Sequence, residues 1–246
     1  MKAIILCAGK GERLKPLTDT IPKPLVPIAG RPLLEYNLLL LKHHNIKDIC
    51  INTSHLADKI KDYINNKNLG LKINYSFELE LLGTSGALNN FREILTEPFV
   101  VIYGDNLTDI DLTKMIAHHN NTKALVTIAL RKKPKEYKTG SLIIADNNLK
   151  ITKFIEKPSE EEINKFSGDY KLINSGIYIC EPEILDFTPP GVSDFAYNIF
   201  PKILNTGKNM QGFMMDEYHF REVGKMEKYQ LAKEEIESGK VNLSFL

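Results

Sequence analysis

Residues 2–11 read KAIILCAGKG, and this stretch decides the fold. The run from Lys2 to Ala8 is almost continuously apolar, as expected of a strand that is buried on both faces. The Gly9-x-Gly11 pair ends the strand and begins a loop whose backbone N–H groups can approach a phosphate closely. The stretch therefore predicts a buried first strand of an α/β domain, with a candidate anion site where that strand ends.

The segments that follow alternate between strand and helix patterns. Strands are indicated by short apolar runs, and helices by apolar residues three or four positions apart. The predicted strands are 48–53, 71–77 and 99–103, and the predicted helices are 32–44, 57–65 and 85–95. This order predicts a mostly parallel sheet with right-handed crossovers, in which ligands bind at the carboxyl ends of the strands.

The second half of the chain is richer in strand patterns. Its predicted strands are 124–130, 141–145, 151–155 and 172–180, and its predicted helices are 195–205 and 227–238. No internal repeat or linker interrupts the sequence. We therefore expect one α/β domain, residues 1–246, with a small strand-rich lobe.

The composition excludes several classes of protein. Lys and Arg total 32 and Asp and Glu total 31, so the chain lacks the basic excess that nucleic-acid and membrane-surface binders usually show. No run approaches the roughly 20 apolar residues of a membrane span. The three cysteines lie in apolar runs without metal-ligand spacing, which predicts buried free thiols and a cytoplasmic location.

The glycine loop carries the cations Arg13 and Lys23, ten residues apart. A dinucleotide-binding loop needs a third glycine where Leu14 stands, and a Walker A loop needs a Gly-Lys-Ser/Thr sequence that is absent. A glycine loop with these two cations suits the binding of a triphosphate from which pyrophosphate leaves, because fixed donors can stabilise the charge that develops on the leaving group. From spacing alone, a surface loop with solvated charges explains the pattern equally well.

Five motifs together identify a family. Gly9-x-Gly11-x-Arg13-Leu14-x-Pro16-Leu17-Thr18 with Pro22-Lys23-Pro24-Leu25 resembles the signature of the sugar-1-phosphate nucleotidyltransferases. The later motifs LGTSGA (82–87), YGDN (103–106), FIEKP (154–158) and NSGIY (174–178) stand in that family's order. The catalytic domains of mannose-1-phosphate guanylyltransferases are the most similar members. The resemblance implies a Rossmann-like, GT-A-like three-layer sandwich, and we expect no C-terminal left-handed β-helix.

The resemblance also implies roles for the matched residues. It divides the domain into a nucleotide-binding half, 1–110, and a sugar-phosphate-binding half, 111–246. The substrates would be an NTP and a sugar 1-phosphate, with Mg²⁺ as cofactor, and a homo-oligomer is compatible with the family. The implied catalytic residues are Arg13, Lys23, Asp105 and Lys157, and Mg²⁺ would bind Asp105 and Glu222. The nucleotide would contact Leu6, Ala8, Gly9, Gly11, Glu78, Gly83 and Thr84. The sugar phosphate would contact Gly140, Glu156, Lys157 and Asn174.

Glu222 departs from the family pattern. The family places Trp-x-Asp-x-Gly near the C-terminus, and this chain has Phe220-Arg-Glu-Val-Gly224. Glu also ligates Mg²⁺, but its extra methylene moves the carboxylate by about 1.5 Å. Asp216 is a fallback ligand outside the match. A weakly active or regulatory protein that binds an NDP-sugar is therefore an alternative to an active enzyme.

The choice of base depends on Glu78. A carboxylate only accepts hydrogen bonds, and guanine offers two adjacent donors where uracil offers one. We therefore expect GTP, while uridylyl, thymidylyl or cytidylyl transfer stays an alternative, as does a Glu78 or Glu80 that merely points outward from a strand. The resemblance implies mannose 1-phosphate as the sugar, with heptose, glucose or N-acetylated sugar phosphates as alternatives. The histidine pairs 43–44 and 118–119 are interpreted as surface pairs at helix ends.

Overall fold

A computed structural model describes residues 1–137, 139–243 and 245–246. The strands are β1 Lys2–Leu6, β2 Pro27–Ile28, β3 Arg31–Pro32, β4 Asp48–Thr53, β5 Lys72–Phe77, β6 Phe99–Tyr103, β7 Asn106–Thr108, β8 Val126–Pro134, β9 Leu142–Ala145, β10 Ile151–Ile155, β11 Tyr170–Cys180, β12 Met210–Met214 and β13 Phe220–Glu222. The α-helices are α1 Leu33–His43, α2 Ala57–Asn65, α3 Gly83–Gly86, α4 Leu112–Thr122, α5 Glu160–Lys165, α6 Ile184–Phe187, α7 Phe200–Asn205 and α8 Met226–Glu237.

The chain forms two compact units, each assembled from separate segments. The first unit contains residues 1–81, 101–112 and 218–246. The second contains residues 82–100 and 113–217. No helix among the described residues is long and apolar enough to cross a membrane.

The first unit is built on parallel strands. β1 pairs with β4 and β4 with β5, all parallel, and Leu6, Asn52 and Ser76 lie side by side in this register. The end of β6 neighbours β1 on its other side. The centres of β1, β4 and β6 are fully buried, as the apolar runs predicted, whereas β5 at the edge of the sheet is only partly buried. The predicted order of strands and the parallel direction are therefore confirmed in this unit.

An apolar cluster holds the glycine loop against the body of the first unit. Leu14 and Val26, near the two ends of the loop, are fully buried in it. The Tyr36 hydroxyl donates to the Ile28 carbonyl at 2.9 Å, so the polar group of this buried side chain is hydrogen-bonded within the cluster. Each such buried leucine or valine stabilises the fold by about 1.5–3 kcal/mol. The other buried members are Leu33, Leu107, Val223, Tyr229, Ala232 and Leu243.

The second unit has a mixed sheet. β8 pairs antiparallel with β11 and parallel with β12, while β9 pairs antiparallel with both β10 and β11. Its core contains Tyr178, Phe195 and Phe200, whose ring centroids lie 5.0 to 5.6 Å apart. Phe154 joins them at 5.1 Å from Phe200. This unit corresponds to the strand-rich part that the sequence predicted.

Two predicted helices are wrong in form. The 85–95 helix is instead the four-residue α3 followed by a 3₁₀ helix at Ala87–Phe91, and the Ser85 and Gly86 N–H groups donate to a distant carbonyl, that of Ser193. The 195–205 helix begins as a π-helical turn, Phe195–Ile199, before α7. The sequence reading also missed α4, α5, α6, β12 and the short pairs β2–β3 and β7–β13.

The three cysteines are free and buried, as predicted. The interpretation of residues 118–119 as a surface pair is wrong, because the His119 side chain is 1% exposed. Its Nδ1 lies 2.8 Å from the Thr127 hydroxyl and its Nε2 lies 3.3 Å from Glu181 Oε1. Burial lowers the pKa of His119, and the Glu181 carboxylate offsets this only in part.

Because the folded state lowers the pKa of His119, the unfolded chain binds this proton first as the pH falls below about 6.5. The free energy of unfolding should therefore decrease as the pH drops through that range, and His44 and His219, whose pKa values burial also lowers, should add to the slope. We expect His119→Gln to flatten the dependence of Tm on pH between 5 and 7.5. The exposed His55→Gln variant is the control and should keep the wild-type slope; an equal slope in both variants contradicts the assignment.

Candidate active site

Gly11 shapes the glycine loop. It has a φ of +71°, and a Cβ at this position would lie 2.9 Å from Thr18 Cγ2 and 3.0 Å from Lys23 Cβ. The Gly11 carbonyl accepts hydrogen bonds from the Thr18 hydroxyl and the Leu14 N–H, both at 2.8 Å. Only glycine combines this conformation with so close an approach. The loop is therefore folded back so that the segment carrying Lys23 packs against Gly11, while Gly9 faces open space.

The end of β6 packs directly on the end of β1. The Gly104 N–H donates to the Leu6 carbonyl at 3.0 Å, and a Cβ on Gly104 would lie 2.7 Å from that carbonyl oxygen and 2.9 Å from Cys7 Sγ. This contact places Asp105 beside the strand that leads into the buried Ala8. Burial, with the nearby Asp105 charge, raises the pKa of the Cys7 thiol, so Cys7 stays protonated and is no nucleophile.

Lys23 and Asp105 form an ion pair at the carboxyl ends of these strands. Lys23 Nζ lies 2.5 Å from Asp105 Oδ2, and the two side chains are only 15% and 18% exposed. Hydrogen bonds between two ionised groups are stronger than those between neutral groups. The structure thus brings a predicted phosphate-binding cation and a predicted metal-binding carboxylate into direct contact.

Glu222 and Arg13 lie beside this pair in the first unit. Glu222 pairs with Asn106 across β13 and β7, and the next N–H, that of Val223, donates to the Asp105 carbonyl at 2.7 Å. Arg13 Nη2 is 3.9 Å from Glu222 Oε1, with both side chains more than half exposed. The Glu222 carboxylate lies over Gly224, where any side chain would collide with it.

Two carboxylates are the donor set that this cluster offers to a metal. Among the described residues there is no group of three or more His, Cys, Asp or Glu side chains that could hold an ion alone. Mg²⁺ binds through one or two carboxylates and completes its shell with phosphate oxygens and water, so Asp105 and Glu222 fit that ion. The fallback Asp216 belongs to the second unit, where its carboxylate accepts from the Lys132 N–H at 3.0 Å.

Sequence reasoning missed Asn52. Its Oδ1 accepts from the Cys7 N–H at 2.7 Å and its Nδ2 donates to Glu78 Oε1 at 2.8 Å. Asn52 and Glu78 are 2% and 3% exposed, whereas Glu80 is exposed. Asn52 therefore connects the strand before the glycine loop to the carboxylate predicted to bind the base. An asparagine at the carboxyl end of a buried strand was the available signal.

In the second unit, Gly83 and Thr84 lie in the short helix α3. The Thr84 N–H and hydroxyl both donate to Asp194 Oδ1, at 3.1 and 2.9 Å. Thr84 is half-buried. Asp194 was not among the predicted site residues, because no motif marks it.

The four predicted sugar-phosphate residues meet at one end of β10, β9 and β11. Ile155 pairs with Leu142 and Leu172 pairs with Ile143, so Glu156 and Asn174 both lie next to the start of β9 and hence to Gly140. The Ser141 hydroxyl accepts from the Asn174 N–H at 2.8 Å. The structure thus brings together residues that the sequence separates by up to 34 positions.

The side chains of this group differ in exposure. Lys157 is exposed and has a φ of +48°, a left-handed conformation that is unusual for lysine. Glu156 is half-buried; burial raises the pKa of its carboxyl, and the Asp194 charge raises it further against the opposing effect of Lys157. The Asn174 amide donates to the Tyr178 hydroxyl and accepts from the Gly176 N–H, which fixes its orientation.

Comparisons with known proteins show which family the chain belongs to. A family model described as Nucleotidyl transferase matches residues 2–239. The chain is 38% identical over 244 residues to a UTP–glucose-1-phosphate uridylyltransferase of Synechocystis sp., covering 93% of this chain but only 61% of that protein's length. It is 34% identical over 238 residues to a D-glycero-alpha-D-manno-heptose 1-phosphate guanylyltransferase of Aneurinibacillus thermoaerophilus, covering 96% of this chain and 99% of that protein.

A solved structure shares the fold. HddC from Yersinia pseudotuberculosis, crystallised with GMP-PN, matches with a TM-score of 0.77 and 29% identity over 96% of this chain and 99% of that one. The predicted Rossmann-like α/β class is thereby confirmed. With a family model spanning nearly all of its residues, the chain belongs to the nucleotidyl transferase family.

Proposed function

We propose that this protein transfers a nucleotidyl group from an NTP, by preference GTP, to a sugar 1-phosphate and releases pyrophosphate. The observation that carries the proposal is the cluster of Lys23, Asp105, Arg13 and Glu222 beside the glycine loop. Two cations and two carboxylates at the ends of parallel strands suit a triphosphate with its metal ion.

The three buried free thiols fit a reducing compartment, and we propose a cytoplasmic location.

The chemistry needs positioning and charge neutralisation more than proton transfer. A phosphate oxygen of the sugar phosphate attacks the α-phosphorus in line, and pyrophosphate leaves on the opposite side. The nucleophile is already anionic near neutral pH, so no general base is required. Arg13 and Lys23 would bind the triphosphate, and Lys157 would bind the sugar phosphate. Mg²⁺, held by Asp105 and Glu222, would supply charge neutralisation at the reacting phosphate.

Lys23 has two roles in this proposal. In the structure, its ammonium compensates the Asp105 carboxylate at 2.5 Å. If Asp105 held a divalent ion, that ion would compensate the carboxylate instead, and the Lys23 ammonium would then be available to the phosphates and to the leaving pyrophosphate.

The preference for GTP rests on Glu78. Asn52 donates to Glu78 Oε1 at 2.8 Å and so orients this buried carboxylate, and a carboxylate, which only accepts hydrogen bonds, suits the two adjacent donors of guanine. The guanylyltransferase from Aneurinibacillus supports this choice, and the uridylyltransferase from Synechocystis favours UTP as the second candidate. For the sugar we propose mannose 1-phosphate or the related manno-heptose 1-phosphate, with glucose 1-phosphate as the alternative that accompanies UTP.

Pyrophosphate release tests the function and its specificity together. We expect release with Mg²⁺ when GTP is combined with mannose 1-phosphate or manno-heptose 1-phosphate, in a panel that crosses GTP, UTP, dTTP, CTP and ATP with these sugars and glucose 1-phosphate. Release with UTP and glucose 1-phosphate alone would replace the guanylyl assignment. No release with any pair, despite measurable binding of an NDP-sugar, would contradict the enzyme and favour a regulatory protein.

Variants of Glu222 test the second metal ligand. Shortening it to Asp retracts the carboxylate by about 1.5 Å from the position over Gly224 that the backbone now accommodates. We therefore expect Glu222→Asp to lower kcat by about 10- to 100-fold and Glu222→Gln to lower it at least as far. The matched control Glu227→Gln, an exposed carboxylate on α8, should keep wild-type activity. A faster Glu222→Asp variant would show that Glu is a handicap at this site.

A further inference from the structure

The segment of residues 191–199 in the second unit is hydrogen-bonded to the loop of residues 82–86, whose single helical turn, α3, contains the predicted nucleotide-binding residues Gly83 and Thr84. The Ser193 N–H donates to the Leu82 carbonyl at 2.9 Å. The Ser193 carbonyl accepts two hydrogen bonds from the other end of the loop, from the N–H groups of Ser85 and Gly86, both at 3.0 Å. The loop is thus held at its two ends by a single residue, over a sequence separation of more than 100 positions.

Asp194 holds the middle of the same loop. Its Oδ1 accepts both donors of Thr84, the N–H and the hydroxyl, and the Thr84 hydroxyl in turn accepts from the Phe195 N–H at 3.0 Å. Asp194 is itself oriented, because its own N–H donates to Asn198 Oδ1 at 2.8 Å. Hydrogen bonds to an ionised carboxylate are about twice as strong as neutral ones. This closed set fixes both the backbone and the rotamer of Thr84.

The same segment also approaches the predicted sugar-phosphate residues. Asp194 begins a π-helical turn, Phe195–Ile199, and such turns are frequent at functional sites. On this turn, the half-exposed Tyr197 ring has its centroid 5.7 Å from Lys157 Nζ, within the range of a cation–π contact. Asp194 therefore connects, through one turn, a residue assigned to the nucleotide and the lysine assigned to the sugar phosphate.

We propose that Asp194 is a positioning residue for the reaction proposed above: it fixes Thr84 for the NTP, and the turn that it begins places Tyr197 against Lys157. The inference rests on the proposed function, but the geometry that carries it is independent of the identity of the base and the sugar. Asp194 acts through other residues and touches no reacting atom. Its removal should therefore weaken substrate binding more than it slows the chemical step.

The variants Asp194→Ala and Asp194→Asn distinguish a positioning role of Asp194 from an effect of its negative charge. Asp194→Ala removes the acceptor, and we expect the KM for the NTP to rise by about 10- to 100-fold while kcat changes by less than about 5-fold. Asp194→Asn keeps an oxygen that accepts both Thr84 donors, and it should restore the KM to within about 5-fold of wild type. Thr84→Val should raise the KM as well, and combining it with Asp194→Ala should add little, because both changes break the same contact.

The exposed Asp186→Ala variant in the same unit is the control and should leave both kinetic constants unchanged. Hydrogen exchange of the 82–86 amides provides a readout that does not need turnover, and Asp194→Ala should accelerate it while Asp194→Asn should not. An unchanged KM in Asp194→Ala overturns the inference, as does equal loss in the Ala and Asn variants. If wild type shows no turnover with any substrate pair, the proposed function fails, and unchanged exchange in Asp194→Ala then overturns the inference separately.

Discussion

The candidate site of the first unit depends on the ion pair between Lys23 and Asp105. Both groups are more than four-fifths buried, and a charge in that setting must be compensated; losing one partner of a buried pair costs about 3 kcal/mol or more. The pair therefore requires that the loop carrying Lys23 and the end of β6 carrying Asp105 reach the same place. The sharp fold of the loop at Gly11 and the close packing of Gly104 on β1 are consistent with that requirement.

Apolar packing supplies the rigidity that the ion pair needs. Leu14 and Val26 anchor the loop on either side of Lys23, and Val223 anchors the strand that carries Glu222. The polar residues of the site thus sit on elements whose neighbours are fully buried. A site that binds by fixed charges depends on such support, because a displacement of about 1 Å is enough to lose most of the benefit.

The sequence predicts elements well where local pattern decides them. Strands 48–53, 99–103 and 151–155 and helix 57–65 have the bounds that the apolar runs predicted. Prediction from the sequence fails where contacts with residues distant in the chain determine the local structure. The helix expected at 85–95 is instead the short α3, hydrogen-bonded to Ser193, and a 3₁₀ helix, and the helix expected at 195–205 begins as a π-helical turn on Asp194. The polar helix α4 was missed, and the burial of His119 was not predicted, because few apolar residues mark this segment.

The candidate site likewise contains residues that local motifs mark and residues whose role depends on tertiary contacts. The motifs marked Arg13, Lys23, Asp105 and Lys157, and the structure places three of these in one cluster of the first unit, although their roles stay predictions. Asn52 and Asp194 carry no motif, since an isolated Asn or Asp is common in any sequence; only the fold shows that each holds a predicted binding residue. Positioning residues of this kind depend on tertiary contacts and are therefore the last to be visible in a single sequence.

The central claim is that the α-phosphate of the nucleotide is transferred and the other two phosphates leave together. The most direct test is to follow GTP labelled at the α- or the γ-phosphate in the presence of mannose 1-phosphate or manno-heptose 1-phosphate. The account predicts that the α label appears in a sugar nucleotide and the γ label in pyrophosphate, in equal amounts. A γ label on the sugar, or an α label that remains in GDP or GTP, would contradict nucleotidyl transfer from GTP.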